Sequence, residues 1–428
     1  MTLLLGAVAD DFTGATDLAS MLSRGGMRTL LVLGAPAPTD PVPDVEAIVV
    51  ALKSRTAPVS EAVADSLAAW RWARSGGARR CYFKYCSTFD STPQGNIGPV
   101  AAALMAETGA SRTTYCPALP ENGRSVYQGH LFVGDRLLSE TGMRDHPLTP
   151  MRDSDLRRLL APQLPEGARI GLADARIVDA GPMALADRLD ALEAEGVAHI
   201  VVDACVDRHL AALAEAVAED PLVTAGSGLG LALPGAYERR GWIEGGSAQA
   251  LPRVGGPILM LSGSCSVATN AQVAAWERAG GATLRLDPIV LAERADPAAE
   301  PFEWAAARLP EGPVLIAATQ APERLAETQA ALGRERAAEL VEATLSEVAR
   351  RAAASGVRRF VAAGGETSGA VAQALGAARL AVGPSIAPGV PWCATEMDGE
   401  GAPTRALALK SGNFGAETFF ADAVATAP

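Results

Sequence analysis

The sequence predicts an α/β protein: two α/β domains with mainly parallel sheets and an active site in the cleft between them. Short apolar runs of strand length alternate with longer helical patterns along most of the chain, which is how successive βαβ units read. Polar, glycine-containing turns follow several of those runs, at the edge where open α/β sheets bind ligands. Near the middle the alternation stops at residues 244–257, EGGSAQALPRVGGP, a stretch rich in Gly, Ser and Pro that reads as a linker. A chain of 428 residues, at roughly 150 per domain, has room for two or three domains. The expected division is residues 1–248 and 249–428.

Residues 3–9 are the first strand, ended by Asp10 and Asp11, with a helix following through Leu22. Residues 29–33 and 47–51 are short apolar strands, 60–74 a helix, and 81–85 a further strand. Residues 198–203, 207–218 and 222–224 read as strand, helix and strand. After the linker the pattern restarts with a strand at 258–261, a polar turn, and a helix at 271–279. A strand at 314–317, a long helix at 337–355 and a strand at 359–362 complete the second domain.

Composition narrows the function. Hydrophobic residues make up 49% and charged residues 20%, ordinary for a globular chain and incompatible with wholesale disorder. The net charge of −12 gives no bulk attraction to nucleic acid or anionic membrane, although a local basic site can still hold a small anion. The N-terminal MTLLLGAVADDF has a short apolar run and no basic residue before it, so it is not expected to act as a signal peptide. The uncharged stretch 254–276 carries glycines, a proline, serines and Asn270, which excludes a membrane span. Six scattered cysteines show no C-x-x-C spacing and are expected as reduced thiols in the cytoplasm.

Several polar groups stand where chemistry is expected. Asp10 and Asp11 end the first strand, and such a pair can hold sugar hydroxyls, act as a base or carry Mg²⁺, beyond the single cap a helix needs. The run from Lys84 to Asn96, KYCSTFDSTPQGN, crowds a lysine, hydroxyls and Asp90 beside a helix start, which suits a carboxylate or phosphate. Arg124, in PENGR, and Lys53-Ser54-Arg55 are further anion sites. His130 and His146 lack zinc spacing and read as structural. In the second half, LSGSCS at 261–266, AGGETSG at 363–369 and KSGNFG at 410–415 are turns whose small residues let backbone N–H groups approach a phosphate. A Walker loop is absent, and Gly226-Ser227-Gly228-Leu229-Gly230 misses the dinucleotide spacing, which argues against a dehydrogenase. A sugar-acid sensor would need no nucleotide turn.

These segments resemble the four-carbon acid sugar kinases. ADDFTGATDLAS, KYCSTFDSTPQGNIGP, CPALPENGRSVYQGHLFV, HPLTPMRDS, LVTAGSGL, LSGSCSVATNAQV, VAAGGETSGAV, GPSIAPGVPW and LALKSGNFG occur in family order from residue 7 to residue 415. The resemblance implies an ATP-dependent kinase with an N-terminal acid-sugar domain and a C-terminal nucleotide domain. Gln94 stands where threonate and erythronate kinases of the family tend to carry Arg, so the chain looks most like the branch that phosphorylates the terminal hydroxyl of 3-oxo acids. A threonate or erythronate kinase remains the rival within the family.

What the resemblance implies for ATP falls on Ser262 or Ser264, on Gly364, Gly365, Glu366, Thr367 and Ser368, and on Gly412. The stretch 396–405 is longer than in other members, so Gly412 is placed by anchoring on LALKSGNFG. Mg²⁺ is expected with the phosphates, Glu366 being its candidate ligand. Asp10, Arg55, Lys84, Ser91, Thr92 and Arg124 are expected to bind the acid sugar, with Lys84, Arg124 or Arg55 on its carboxylate. Asp11 or Asp90 is expected to orient the C4 hydroxyl and accept its proton. The partners expected are a small four-carbon acid sugar and a second copy in a homodimer, with neither nucleic acid nor membrane.

Overall fold

The computed structural model describes residues 3–146, 148–246, 250–395 and 403–428. Residues 247–249 of the linker and 396–402 of the long stretch lie outside them. The chain divides into two compact units, Met1–Gln249 and Ala250–Pro428.

In the first unit the elements are β1 (Leu5–Ala9), α1 (Phe12–Arg24), β2 (Thr29–Leu33), β3 (Ala47–Ala51), α2 (Val59–Ser75), β4 (Arg80–Lys84), α3 (Ile97–Thr108) and β5 (Thr113–Cys116). There follow β6 (Arg124–Tyr127), β7 (His130–Val133), β8 (Arg136–Leu137), α4 (Leu156–Leu160), β9 (Ile170–Ala173), α5 (Ala175–Asp179), α6 (Pro182–Ala194), β10 (His199–Val202), α7 (Asp207–Val217), β11 (Leu222–Ala225) and α8 (Leu229–Arg239). The main sheet runs β2-β3-β1-β4-β11-β5-β10-β9 and is parallel throughout. Its central strands are buried on both faces, which is why β3 reads as an unbroken apolar AIVVA. Strand ends align in register: Ala9 faces Ala51 on one side and Lys84 on the other. Three loops therefore leave the same edge side by side, next to the point where strand order reverses.

A separate antiparallel sheet, β6-β7-β8, was not legible in the sequence as such. Its first hairpin turns at Gln128 and Gly129, both with positive φ (50° and 75°), as a two-residue primed turn requires. Asp203, fully buried at the end of β10, accepts from the N–H groups of Gln128, Gly129 and Ala175 and fastens that hairpin to the main sheet.

The second unit contains β12 (Ile258–Ser262), α9 (Val267–Arg278), β13 (Ala282–Arg285), α10 (Pro288–Leu291), α11 (Ala299–Arg308), β14 (Val314–Ala317), α12 (Pro322–Leu332) and α13 (Arg334–Ala354). It continues with β15 (Arg359–Ala363), α14 (Gly365–Ala374), β16 (Arg379–Ala387), β17 (Val390–Thr395), β18 (Ala406–Lys410) and α15 (Phe419–Ala425). Strand order within it is β13-β14-β12-β15-β18-β17-β16, parallel up to β18 and antiparallel across β17. Register again sets three ends abreast: Ser262 faces Ala363, which faces Lys410.

Predicted boundaries differ from observed ones by a residue or two in most elements. The larger correction is α9, which starts at Val267 rather than 271: Ser266 caps it by accepting from Thr269 N–H at 3.1 Å, so the Thr269-Asn270 pair read as turn is helical.

Candidate active site

At the edge of the first unit, backbone hydrogen bonds lock the three loops together before any side chain acts. Asp10 N–H donates to Lys84 O, and both Ser54 and Arg55 N–H donate to Asp10 O. Asn96, at the end of the Lys84–Asn96 run, ties in the third loop by donating to Ser54 O (2.7 Å) and Ala57 O (2.9 Å).

On this frame sits a charged network. Arg55 forks onto Asp10 (Nε–Oδ2 2.9 Å, Nη2–Oδ1 2.8 Å), reaches Asp11 Oδ1 at 2.7 Å, and has Nη1 3.9 Å from Asp90 Oδ2. Burial pulls the guanidinium down, but Asp10 and Asp11 outweigh it and hold Arg55 well above its ordinary value. Asp10 is buried, and that burial raises its carboxyl above the usual range against the opposing pull of Arg55. The expected anion-binding Arg55 is thus already engaged by carboxylates, and its position is that of a group that orients them. Asp11 does cap α1, accepting from Gly14 N–H at 2.9 Å, with the same oxygen that meets Arg55. Asp90 differs: its Oδ1 is buried and has no hydrogen-bond partner among the described residues.

Lys84 is buried, and its Nζ packs against the first turn of α1. A Cβ at Gly14 would lie 2.5 Å from that Nζ and 2.3 Å from Asp11 Oδ1, so only glycine leaves both groups in place. Ser91 is buried and Thr92 half-buried beside Asp90. Phe89, immediately before Asp90, adopts φ 52°, uncommon for a non-glycine residue. It is buried edge-on against Tyr85 at 5.3 Å, and that packing holds the backbone that aims Asp90. Burial pushes the Cys86 thiol up to about 11, so it is a protonated hydrogen-bonding neighbour of Thr88 rather than a nucleophile. Arg124 stands at the start of β6 and makes no hydrogen bond or ion pair with this network. It donates to Asn122 O, its buried Nε has no partner, and no described carboxylate pairs with it.

The second unit presents small groups where the first presents charge. Gly263 and Ser264 N–H both donate to Ala363 O, and Gly364 N–H to Lys410 O. Gly364 has φ 131°, which side-chain-bearing residues rarely adopt, and precedes the first turn of α14. The turns approach so closely that a Cβ on Gly263 would lie 2.2 Å from Thr367 Oγ1, and one on Gly412 2.6 Å from Ser264 Oγ. A cavity of about 280 Å³ opens over Ser264, Gly364, Gly365, Glu366 and Thr367. Its far wall comes from α10, α12 and α13, with Pro288, Leu325, Ala337 and Val341 as apolar surface and Gln329 and Arg334 as polar groups. No sequence signal singled out that wall: only its α13 part fell in a predicted helix, 337–355, and α10 and α12 were not foreseen.

Of the two serines left open, Ser264 lines the cavity; Ser262 is buried below it, sharing a 2.6 Å hydrogen bond with Thr319. Ser368 is likewise buried, its hydroxyl turned to Ala362 O and Lys410 O. Glycine turns, a helix N-terminus, an apolar wall and two carboxylates at the cavity, the exposed Glu366 and the half-buried Glu342, fit a nucleotide with its metal: Mg²⁺ takes one or two protein carboxylates and draws its other ligands from phosphate and water. Among the described residues no group of three or more His, Cys, Asp or Glu is arranged to hold a metal by itself.

Comparison with known proteins bears on the class. Residues 5–233 match the model of a sugar-binding N-terminal domain, and residues 259–420 that of a nucleotide-binding C-terminal domain. Fold and domains together define a two-domain carbohydrate kinase. The chain is 52% identical to the 3-oxo-tetronate kinase of Burkholderia multivorans, over 97% of this chain and 96% of that protein. It is 51% identical to the 3-oxo-tetronate kinase of Cupriavidus necator, over 98% and 96%. A crystal structure from Salmonella typhimurium LT2 superposes with a TM-score of 0.90 at 43% identity, covering 99% of both chains. One from Haemophilus influenzae gives 0.82 at 42%, covering 98% of this chain and 99% of that one. The chain belongs to the four-carbon acid sugar kinase family.

Proposed function

We propose that this protein is an ATP-dependent 3-oxo-tetronate kinase that phosphorylates the 4-hydroxyl of a four-carbon 3-oxo acid. The observation that carries this reading is identity of 44–52% with 3-oxo-tetronate kinases along nearly the whole chain. In this reading Asp90 accepts the proton of the C4 hydroxyl: its buried Oδ1 is uncommitted, while Asp11 Oδ1 is taken by Gly14 and Arg55. Arg55 holds Asp10, Asp11 and Asp90 in fixed orientation, and Lys84 supplies the charge for the acid's carboxylate or 3-oxo group. Arg124, with an unpartnered Nε, is the second cation for the acid. Ser91 and Thr92 contribute hydroxyls for the sugar's own.

Bound at the second unit, Mg²⁺·ATP supplies the phosphoryl group, with the metal neutralising its charge. The N–H groups at the start of α14, from Gly365 to Thr367, together with Ser264 and the Gly412 turn, would hold the phosphates, and Glu366 the metal. Phosphoryl transfer asks for positioning and charge neutralisation more than for covalent chemistry, and both units offer prefixed groups. A cytoplasmic location accords with six cysteines that are all free. No described helix is long and apolar enough to cross a membrane. A homodimer belongs to the same reading.

An ATP-consumption assay with Mg²⁺ tests it, comparing 3-oxo-tetronate, threonate and erythronate, with the phosphate located by NMR. Turnover on the oxo acid with phosphate on the C4 oxygen is the expected result. Preference for threonate or erythronate would move the protein to the sister branch, and Gln94 would lose its value as a discriminator.

A further inference from the structure

A fully buried charge lies beside the nucleotide turns, on a residue whose side chain has been given no role so far. Lys410 ends β18 and is fully buried. Its ammonium donates to Thr269 Oγ1 (3.1 Å), Ser411 O (2.8 Å) and Gly412 O (3.0 Å), which uses its three protons. Gly412 O also receives the hydroxyls of Ser266 (2.6 Å) and Thr269 (2.7 Å). The carbonyl of Lys410 accepts Gly364 N–H at 2.8 Å. One residue thus joins the first turn of α9, the Gly364 turn and the Ser411–Gly412 turn through its side chain and its backbone, and Gly412 O carries the link on to Ser266.

No described carboxylate comes within ion-pairing distance of this ammonium. The charged groups on the elements packed around it are engaged elsewhere or line the cavity. On α9, Glu277 pairs with Arg285, and Arg278 with Glu417. On α15, Asp422 accepts from Thr418. Arg359 on β15 donates to Gly256 O, and Arg405, before β18, to Leu375 O. Glu366 opens α14 at the cavity. Phe419 presents its ring 5.5 Å from the Nζ. Burial therefore acts on Lys410 unopposed and pushes it down to about 7.

We propose that Lys410 is the positioning residue for the nucleotide phosphates, its ammonium pinning the Ser411–Gly412 turn against Ser264 and its charge being balanced by the polyphosphate rather than by a protein carboxylate. The inference rests on the assignment of the nucleotide to these turns. Its consequence is proton linkage. A bound polyanion favours the charged lysine, so nucleotide affinity is highest below about pH 7 and falls as the pH rises through the titration of the free enzyme.

The test is calorimetry of Mg²⁺·ADP binding to the full chain near the alkaline side of that titration, in buffers of different ionisation enthalpy, on wild type, K410R and K410M. Mg²⁺·ADP itself has lost its last proton there. Expected are net proton uptake by the wild type, none by either variant, and a rise of about tenfold or more in the ADP Kd and ATP KM of K410M with the KM for the acid sugar unchanged. If K410M does not fold, the wild-type proton count and its pH dependence still decide. Wild type that binds ADP without proton uptake, or K410M with unchanged affinity, overturns the inference alone. Wild type that binds no ADP overturns the nucleotide assignment and this inference with it.

Discussion

The two units solve one geometric problem with opposite chemistry. Each sets three parallel strand ends in register, at Ala9, Ala51 and Lys84 in the first and at Ser262, Ala363 and Lys410 in the second. The first fills that edge with long charged side chains that hold one another: Arg55 with Asp10, Asp11 and Asp90. The second fills it with glycines and hydroxyls, and aims backbone N–H groups instead. A small acid with several hydroxyls must be read group by group, which needs fixed side chains. A polyphosphate is read by dipoles and close approach, which needs the absence of side chains. Mutations should therefore act differently on the two edges: in the first through lost charge partners, in the second through added bulk.

The sharpest break is expected at Asp90. Asp90→Asn should lower kcat by about 10²–10⁴, the usual range for a positioned base, with the ATP KM little changed. Asp11→Asn should cost distinctly less, because an amide oxygen can still cap Gly14. If the two variants ranked the other way in a steady-state assay, the proton would belong to Asp11.

Stability should respond most at Arg55. Arg55→Met leaves Asp10 buried without its partner, a situation that costs about 3–5 kcal/mol. Chemical denaturation should show that loss, and the double variant Asp10→Asn/Arg55→Met should recover part of it. Without any recovery, Arg55 would be stabilising by packing rather than by pairing with Asp10.

In the second unit, Gly364→Ala forces a side chain onto φ 131° and into Thr367 Oγ1, a strain of about 1–3 kcal/mol. The ATP KM should rise while the KM for the acid sugar stays put. Equal changes in both would blur the division of labour between the two edges.

The most gradual effect is one of pH. Lys410 titrates lower in the folded state than its ordinary value, so the unfolded chain holds the extra proton between about pH 7 and the lysine range. Stability of the nucleotide-free protein should then rise with pH across that window, by at most about 1.4 kcal/mol per pH unit from this group. K410M should flatten the rise in thermal or urea melts. A slope equal to wild type would assign it to other groups.

Much of this was legible in the chain. Alternation of apolar runs and helical patterns predicted the α/β class, since a strand buried on both faces must be apolar throughout, as AIVVA is. The motifs stood directly after those runs, so the identities of Asp10, Lys84 and Gly364 at strand ends, and of Asp90 and Thr367 in the segments that follow them, followed from order along the sequence. What each side chain does there was decided only in three dimensions. Arg55 read as an anion hook because its partners, 45 and 44 residues earlier, meet it only when β1 and β3 pair in register. Ser262 and Ser264 are two residues apart, yet one faces Thr319 beneath the sheet edge and the other the cavity. Lys410 stood in a recognised turn, KSGNFG, but the job of its ammonium was hidden, since its acceptors come from α9 and from its own turn folded back on it. Periodicity and motif order are local and survive in the sequence. Charge pairing and hydroxyl direction depend on which distant strand lies alongside, and only the packed sheet decides them.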